Sequence, residues 1–154
     1  MISSAGVVRS RLAGVEVGCP EGWGVAADVG IVGVELVRRG EEGVALASVR
    51  VTSEAVPAGL GLEGYAERQV GLLQEHAEAL RVLDRESAVL GGAPAVRLLV
   101  AFRVGLAHLT GDQWWAVEGD RAVVVAAACA SPHFPEHQPD FEAVARSVRL
   151  HPPC

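Results

Sequence analysis

The sequence predicts an α+β fold: an antiparallel β-sheet of about six strands, with a long helix and a C-terminal helix packed on one face. Three observations carry this. Val96, Leu98, Val100, Phe102 and Val104 alternate with Arg97 and Arg103, the period of a half-buried strand. Leu62, Ala66, Leu73, Ala77 and Leu80 fall on one stripe at helical spacing, with Glu63, Glu67, Glu75, Glu78 and Arg81 elsewhere. Gly119–Asp120 is a Gly-first turn dipeptide between two strand-like runs. Strands in series, rather than in βαβ alternation, point to α+β.

The elements follow in order. Val7–Cys19 reads as one or two short strands, and the turn Pro20–Trp23 delivers Trp23 to the sheet. Ile31–Arg38 and Val44–Thr52 are strands joined by the charged hairpin loop Arg39–Gly43. Residues 53–61 form a loop, and Leu62–Leu83 is the long helix, with Gly71 costing it about 1 kcal/mol relative to alanine. Two strands flank Gly91–Gly92, and Asp112–Ala130 is a further hairpin. Proline punctuation makes Ser131–Pro139 a loop, after which Asp140 caps a final helix carrying Phe141, Val144 and Val148. No internal repeat or linker divides the chain, so 154 residues read as one domain, 1–154, with its core at about 7–150.

In "DQWWAVEGDRAVVVAAACA" the turn pairs Glu118 with Arg121. Counting back sets Trp114 opposite Val125 and Trp115 opposite Val124. Neighbouring strand residues point to opposite faces, so the two tryptophans cannot form one platform.

Composition excludes several chemistries. All 13 basic residues are arginine, so no lysine Schiff base or phosphate-loop lysine is available. A net charge of −6 without an arginine cluster larger than Arg38–Arg39 opposes nucleic-acid binding. Cys19, Cys129 and Cys154 are too dispersed for a disulfide framework or zinc knuckle. Arg9, Arg11 and Glu16 interrupt any secretory apolar segment, and no run is long enough to span a bilayer. The expectation is a cytoplasmic protein with no membrane insertion.

Three motifs fail on their context. "GLGLEG" (Gly59–Gly64) has dinucleotide-loop spacing, but "SEAVPA" separates it from the preceding strand and no βαβ unit surrounds it. "HFPEH" (His133–His137) has the order of an inverted zinc-protease motif, yet Pro135 is expected to break the helix that would align its histidines. His76, at the edge of the helix stripe with Gln69 two turns before it, is a candidate pocket residue. No catalytic residue, metal ligand or cofactor site is assigned.

The order of these pieces resembles the PsbP-like superfamily. "VEVGCPEGW" is similar to the strand and Pro-x-Gly-Trp opening of that family, and "LEGYAERQVGLL" to its long helix. "LGGAPAVRLLVAF" is similar to its Gly-x-Pro-Ala strand entry, and "DQWWAVEGDRAVVVAAACA" to its Gln-led hairpin. "FEAVARSVRL" is similar to its closing helix. Photosystem II PsbP, a Ran-binding import factor, LpqN-type lipoproteins and bacterial secretion-effector chaperones share this fold. The resemblance implies an antiparallel sheet backed by helices and a role in binding proteins or lipids rather than catalysis. It also implies polar residues at the positions of Ala126 and Ala128, which assigns the open face to the side of Trp115. With alanines there that face is apolar.

The leading expectation is therefore a non-catalytic protein-binding or adaptor module, chaperone-like and bacterial, serving a secretion or envelope system and using the open sheet face. Trp115, Val124, Ala126 and His76 are its candidate contact residues, and Trp114 fills the core. Alternatives are a small apolar ligand or lipid-binding domain, an enzyme of unrecognised type resting on His76, His108, His133 and His137, and a homodimer through the open sheet.

Overall fold

Alternation along the strands resolves into two antiparallel sheets in the computed structural model, which describes residues 6–26 and 33–151. The main sheet has seven strands in the order β3(Trp23–Val25), β4(Gly33–Arg39), β5(Ala45–Ala55), β9(Arg121–Ala130), β8(Ala107–Glu118), β7(Ala93–Val104) and β6(Glu78–Leu90). A three-stranded sheet joins β1(Val7–Ser10), β2(Val15–Gly18) and β10(Arg149–Leu150). Ile31 and Val32, with which the sequence begins β4, lie outside the described residues. The fold is α+β with antiparallel sheets, as expected, and with more strands than the sequence suggested.

The β8–β9 register is the one that turn geometry dictates. Glu118 pairs with Arg121, Trp114 with Val125 and Trp115 with Val124. Gly119 has φ +64°, the left-handed conformation that the first position of such a turn demands.

Two helices complete the fold: α1(Gly61–His76) and α2(Phe134–Ser147). Both differ from expectation. The helical stripe does not run on to Leu83, because α1 stops at His76 and residues from Glu78 enter β6, pairing Glu78 with Arg103 and Leu90 with Ala93. Pairing with β7 prevails over a local preference that favours helix in "EALRVL". Ala79 takes up the change of direction at φ 55°, beside a register shift between Glu78 and Arg81.

The expected proline loop is helical. Ser131–His133 makes a 3₁₀ turn, and α2 starts at Phe134. Pro135 stands in the first turn, where a missing N–H breaks no intrahelical bond. Asp140 consequently lies inside the helix and does not cap it. Its carboxylate accepts a hydrogen bond from Trp23 Nε1 at 2.9 Å and pairs with Arg38 at 3.5 Å, tying α2 to β3 and β4.

The helices pack on opposite faces of the main sheet, not on one. Phe141, Val144, Ala145 and Val148 join Trp114, Val125, Leu36 and Val49 in the larger core, which the three-stranded sheet closes with Val15 and Val17. Tyr65 and Ala66 of α1 join Trp115, Val96, Leu98, Val100 and Ala122 in a smaller one. The tryptophans of Trp114–Trp115 thus anchor one core each.

Candidate functional site

The face bearing α1 is only partly covered. At one end the Tyr65 hydroxyl donates to Glu54 Oε2 at 3.0 Å, and Arg68 pairs with Glu54 at 3.5 Å, at the end of β5. At the other end His76 and Ala77 lie beside Arg103 and Val104 at the end of β7. The helix therefore crosses the sheet diagonally, packing on β8, β7 and β6. Strand register places Leu46 and Ser48 of β5, Ala126 and Ala128 of β9, and Leu109 of β8 on this same face. Leu46 is exposed and the other four are half-buried. Among the described residues nothing packs over this strip as α1 packs over its neighbour.

The strip is shallow because its floor is small. Gly111 lies between Ala128 and Val100, and a Cβ there would stand 3.3 Å from the Phe102 ring, which leans over it. One flank is charged: Arg50 pairs with Glu35 at 3.0 Å. The arrangement offers apolar contact surface with a charged border.

Beside the strip, α1 and β7 enclose an open cleft of about 570 Å³. Leu72, Leu73, Phe102 and Val104 supply its apolar walls, and Gln69 and His76 line it together. Across its edge Arg103 forms an ion pair with Glu78.

Of the candidate contact residues, Trp115 requires correction. It is 0 % exposed beneath α1, and its Nε1 donates to Gln113 Oε1 at 2.9 Å, so it is core and offers no surface to a partner. Val124 is half-buried and packs against the same small core. Ala126 is half-buried on the strip, and His76 is exposed at the cleft. The structure separates the histidines: His76 is on α1, whereas His133 and His137 belong to the α2 face, with His137 buried and stacked on Phe141 at 6.3 Å. Among the described residues no three metal-ligating side chains converge, and Cys19 and Cys129 are free, buried thiols whose burial raises their pKa, that of Cys129 to about 11.

Sequence reasoning missed one polar centre entirely. Arg97 holds Asp112 through two hydrogen bonds, Nε to Oδ1 at 2.9 Å and Nη2 to Oδ2 at 2.7 Å. Its Nη1 lies 3.3 Å from both Glu86 of β6 and Glu142 of α2, and the guanidinium sits over the Trp114 ring. The carboxylates, Asp112 foremost, hold it protonated beyond the ordinary arginine range. The sequence signal was Arg97 on the polar side of an alternating strand, with its partner fifteen residues away on the next one.

Comparison with known proteins identifies the fold. No family model matches the chain, and no curated protein matches its sequence. Solved structures do. The solution structure of the cyanobacterial PsbP of Synechocystis superimposes with a TM-score of 0.65 at 16 % identity, covering 94 % of this chain and 91 % of that one. LpqN of Mycobacterium tuberculosis, involved in cell envelope biogenesis, gives 0.66 at 10 % identity over 97 % and 87 %. The Ran-binding protein Mog1p of Saccharomyces cerevisiae gives 0.64 at 13 % identity over 94 % of both chains. The protein has the PsbP-like fold that its sequence resembles. Among the described residues no helix is long and apolar enough to cross a membrane.

Proposed function

We propose that this chain is a non-catalytic protein-binding module that docks a partner on the uncovered strip beside α1. The observation that carries this is the row of half-exposed Ala126, Ala128 and Leu109, with exposed Leu46, on a sheet face whose other half is buried. A sheet face with one side free and apolar is a common protein-recognition surface. The Ran-binding neighbour supports a protein partner for this fold. The finer form of this reading is an adaptor or chaperone-like role in a bacterial cytoplasm, for a secretion or envelope system: the free thiols Cys19 and Cys129 suit a reducing compartment, and the envelope-biogenesis neighbour LpqN supports the envelope link. Affinity capture with wild type and with Ala128→Arg tests it. A stoichiometric partner retained by the first and lost by the second, at unchanged melting temperature, is expected. Equal retention by both, or no partner at all, overturns it.

The cleft favours a second reading, binding of a small apolar molecule. Native mass spectrometry of gently purified protein would then show bound mass, and an apolar ligand would raise the melting temperature.

A further inference from the structure

Two hairpins of this protein turn on the same kind of loop. In β8–β9 the turn is Gly119–Asp120, and in β7–β8 it is Gly105–Leu106, between Val104 and Ala107. Both glycines have positive φ, +64° and +60°, and neither second residue does. The second position of such a turn faces water and suits a polar residue, as Asp120 shows. Leu106 is 98 % exposed there, the largest exposure among the large apolar side chains of the described residues. Turn geometry asks for the glycine; it does not ask for the leucine.

The tip stands next to the cleft between α1 and β7, whose lining includes Val104 and Gly105. Val104 and Leu72, at 60 % and 41 % exposed, carry apolar surface from the tip to the cleft wall. Each copy of the chain therefore presents one apolar knob and, beside it, one apolar recess.

We propose that this end of the molecule is a two-fold interface with a second copy of the chain, Leu106 of each copy entering the cleft of the other. A two-fold axis between knob and recess fills both at once and closes the assembly, which a single foreign side chain in the cleft would not do. The rim is balanced in charge: Arg103 and Glu78 stand side by side as an ion pair within each copy, so two copies meet there without like-charge repulsion and can exchange partners across a two-fold that passes between them. This goes beyond the docking strip and is independent of it.

Sedimentation equilibrium across the micromolar range tests the proposal. Wild type is expected to rise from 16.0 kDa to twice that mass, and Leu106→Asp, a tip substitution that buries nothing, to stay at 16.0 kDa with an unchanged melting temperature. Leu72→Asp should reproduce the loss from the recess side, and Leu106→Met should retain association. A mixture of Leu106→Cys and Leu72→Cys should form a disulfide-linked dimer faster than either variant alone. A monomer at every concentration, a dimer that Leu106→Asp leaves intact, or a monomer carrying a small molecule in the cleft each overturns it.

Discussion

Arg97 and Asp112 meet diagonally across β7 and β8, where Arg97 stands opposite Trp114 and Asp112 opposite Leu99, in a two-pronged ion pair with the Asp112 carboxylate fully buried and the guanidinium lying over Trp114. Taking such a pair out of water is costly, and two well-aligned charge-assisted hydrogen bonds offset that cost only while both partners are present. Arg97→Leu is therefore expected to lower unfolding free energy by about 3–5 kcal/mol, because it leaves a buried carboxylate without its cation. The double variant Arg97→Leu/Asp112→Leu should recover most of that loss in urea unfolding. Replacing the more exposed Glu86 or Glu142 alone should cost no more than about 1 kcal/mol.

Trp115 fills the space beneath α1, with Tyr65 and Ala66 in the same core. Trp115→Ala is expected to cost about 3–5 kcal/mol through the cavity it leaves. Trp115→Phe should cost less and leave partner capture unchanged, because the indole has no surface. A binding defect in Trp115→Phe at full stability would show that the residue acts in recognition.

Glu16 joins three elements of the smaller sheet. Arg9 Nη2 lies 2.8 Å and His151 Nε2 3.1 Å from its carboxylate, and these contacts hold its pKa below the ordinary glutamate range. With the folded-state pKa depressed, the stabilisation is complete above the unfolded value and disappears as pH falls through the folded one. Glu16→Gln should therefore melt below wild type at neutral pH, and the gap should close as pH falls through the folded-state pKa of Glu16. A gap that persists in acid would contradict the assignment.

Ala79 has a left-handed backbone at φ 55°, which opposes a side chain and suits glycine. Ala79→Gly is expected to raise stability by about 0.5–1 kcal/mol, measured by thermal or urea unfolding. A loss of stability would mean that the bend between α1 and β6 differs from the one described.

Much of the sheet was legible because its signals are local. The alternation from Val96 to Val104 gave the facing of one strand, the Gly119–Asp120 turn gave the register of the β8–β9 hairpin, and the opposite facing of Trp114 and Trp115 followed from strand geometry alone. The cleft was partly legible, since Gln69 and His76, two turns apart on α1, do line it together. The Arg97–Asp112 pair was not, because no spacing along a single chain reveals which charge a neighbouring strand will present.

Helix limits were decided elsewhere. "EALRVL" satisfies a helix as well as a strand, and only the hairpin with β7 makes it β6. Pro135 reads as a helix breaker until the fold makes it the first turn of α2. By itself the sequence determined an antiparallel α+β sheet and the two-sided placement of its tryptophans, because a period of two and a turn glycine act over a few residues. Only the tertiary structure decided that α1 crosses over Trp115 while α2 packs behind Trp114, leaving Ala126 and Ala128 at the surface. The path of a helix over a sheet is set by contacts between segments far apart in the chain, and period alone carries no record of them.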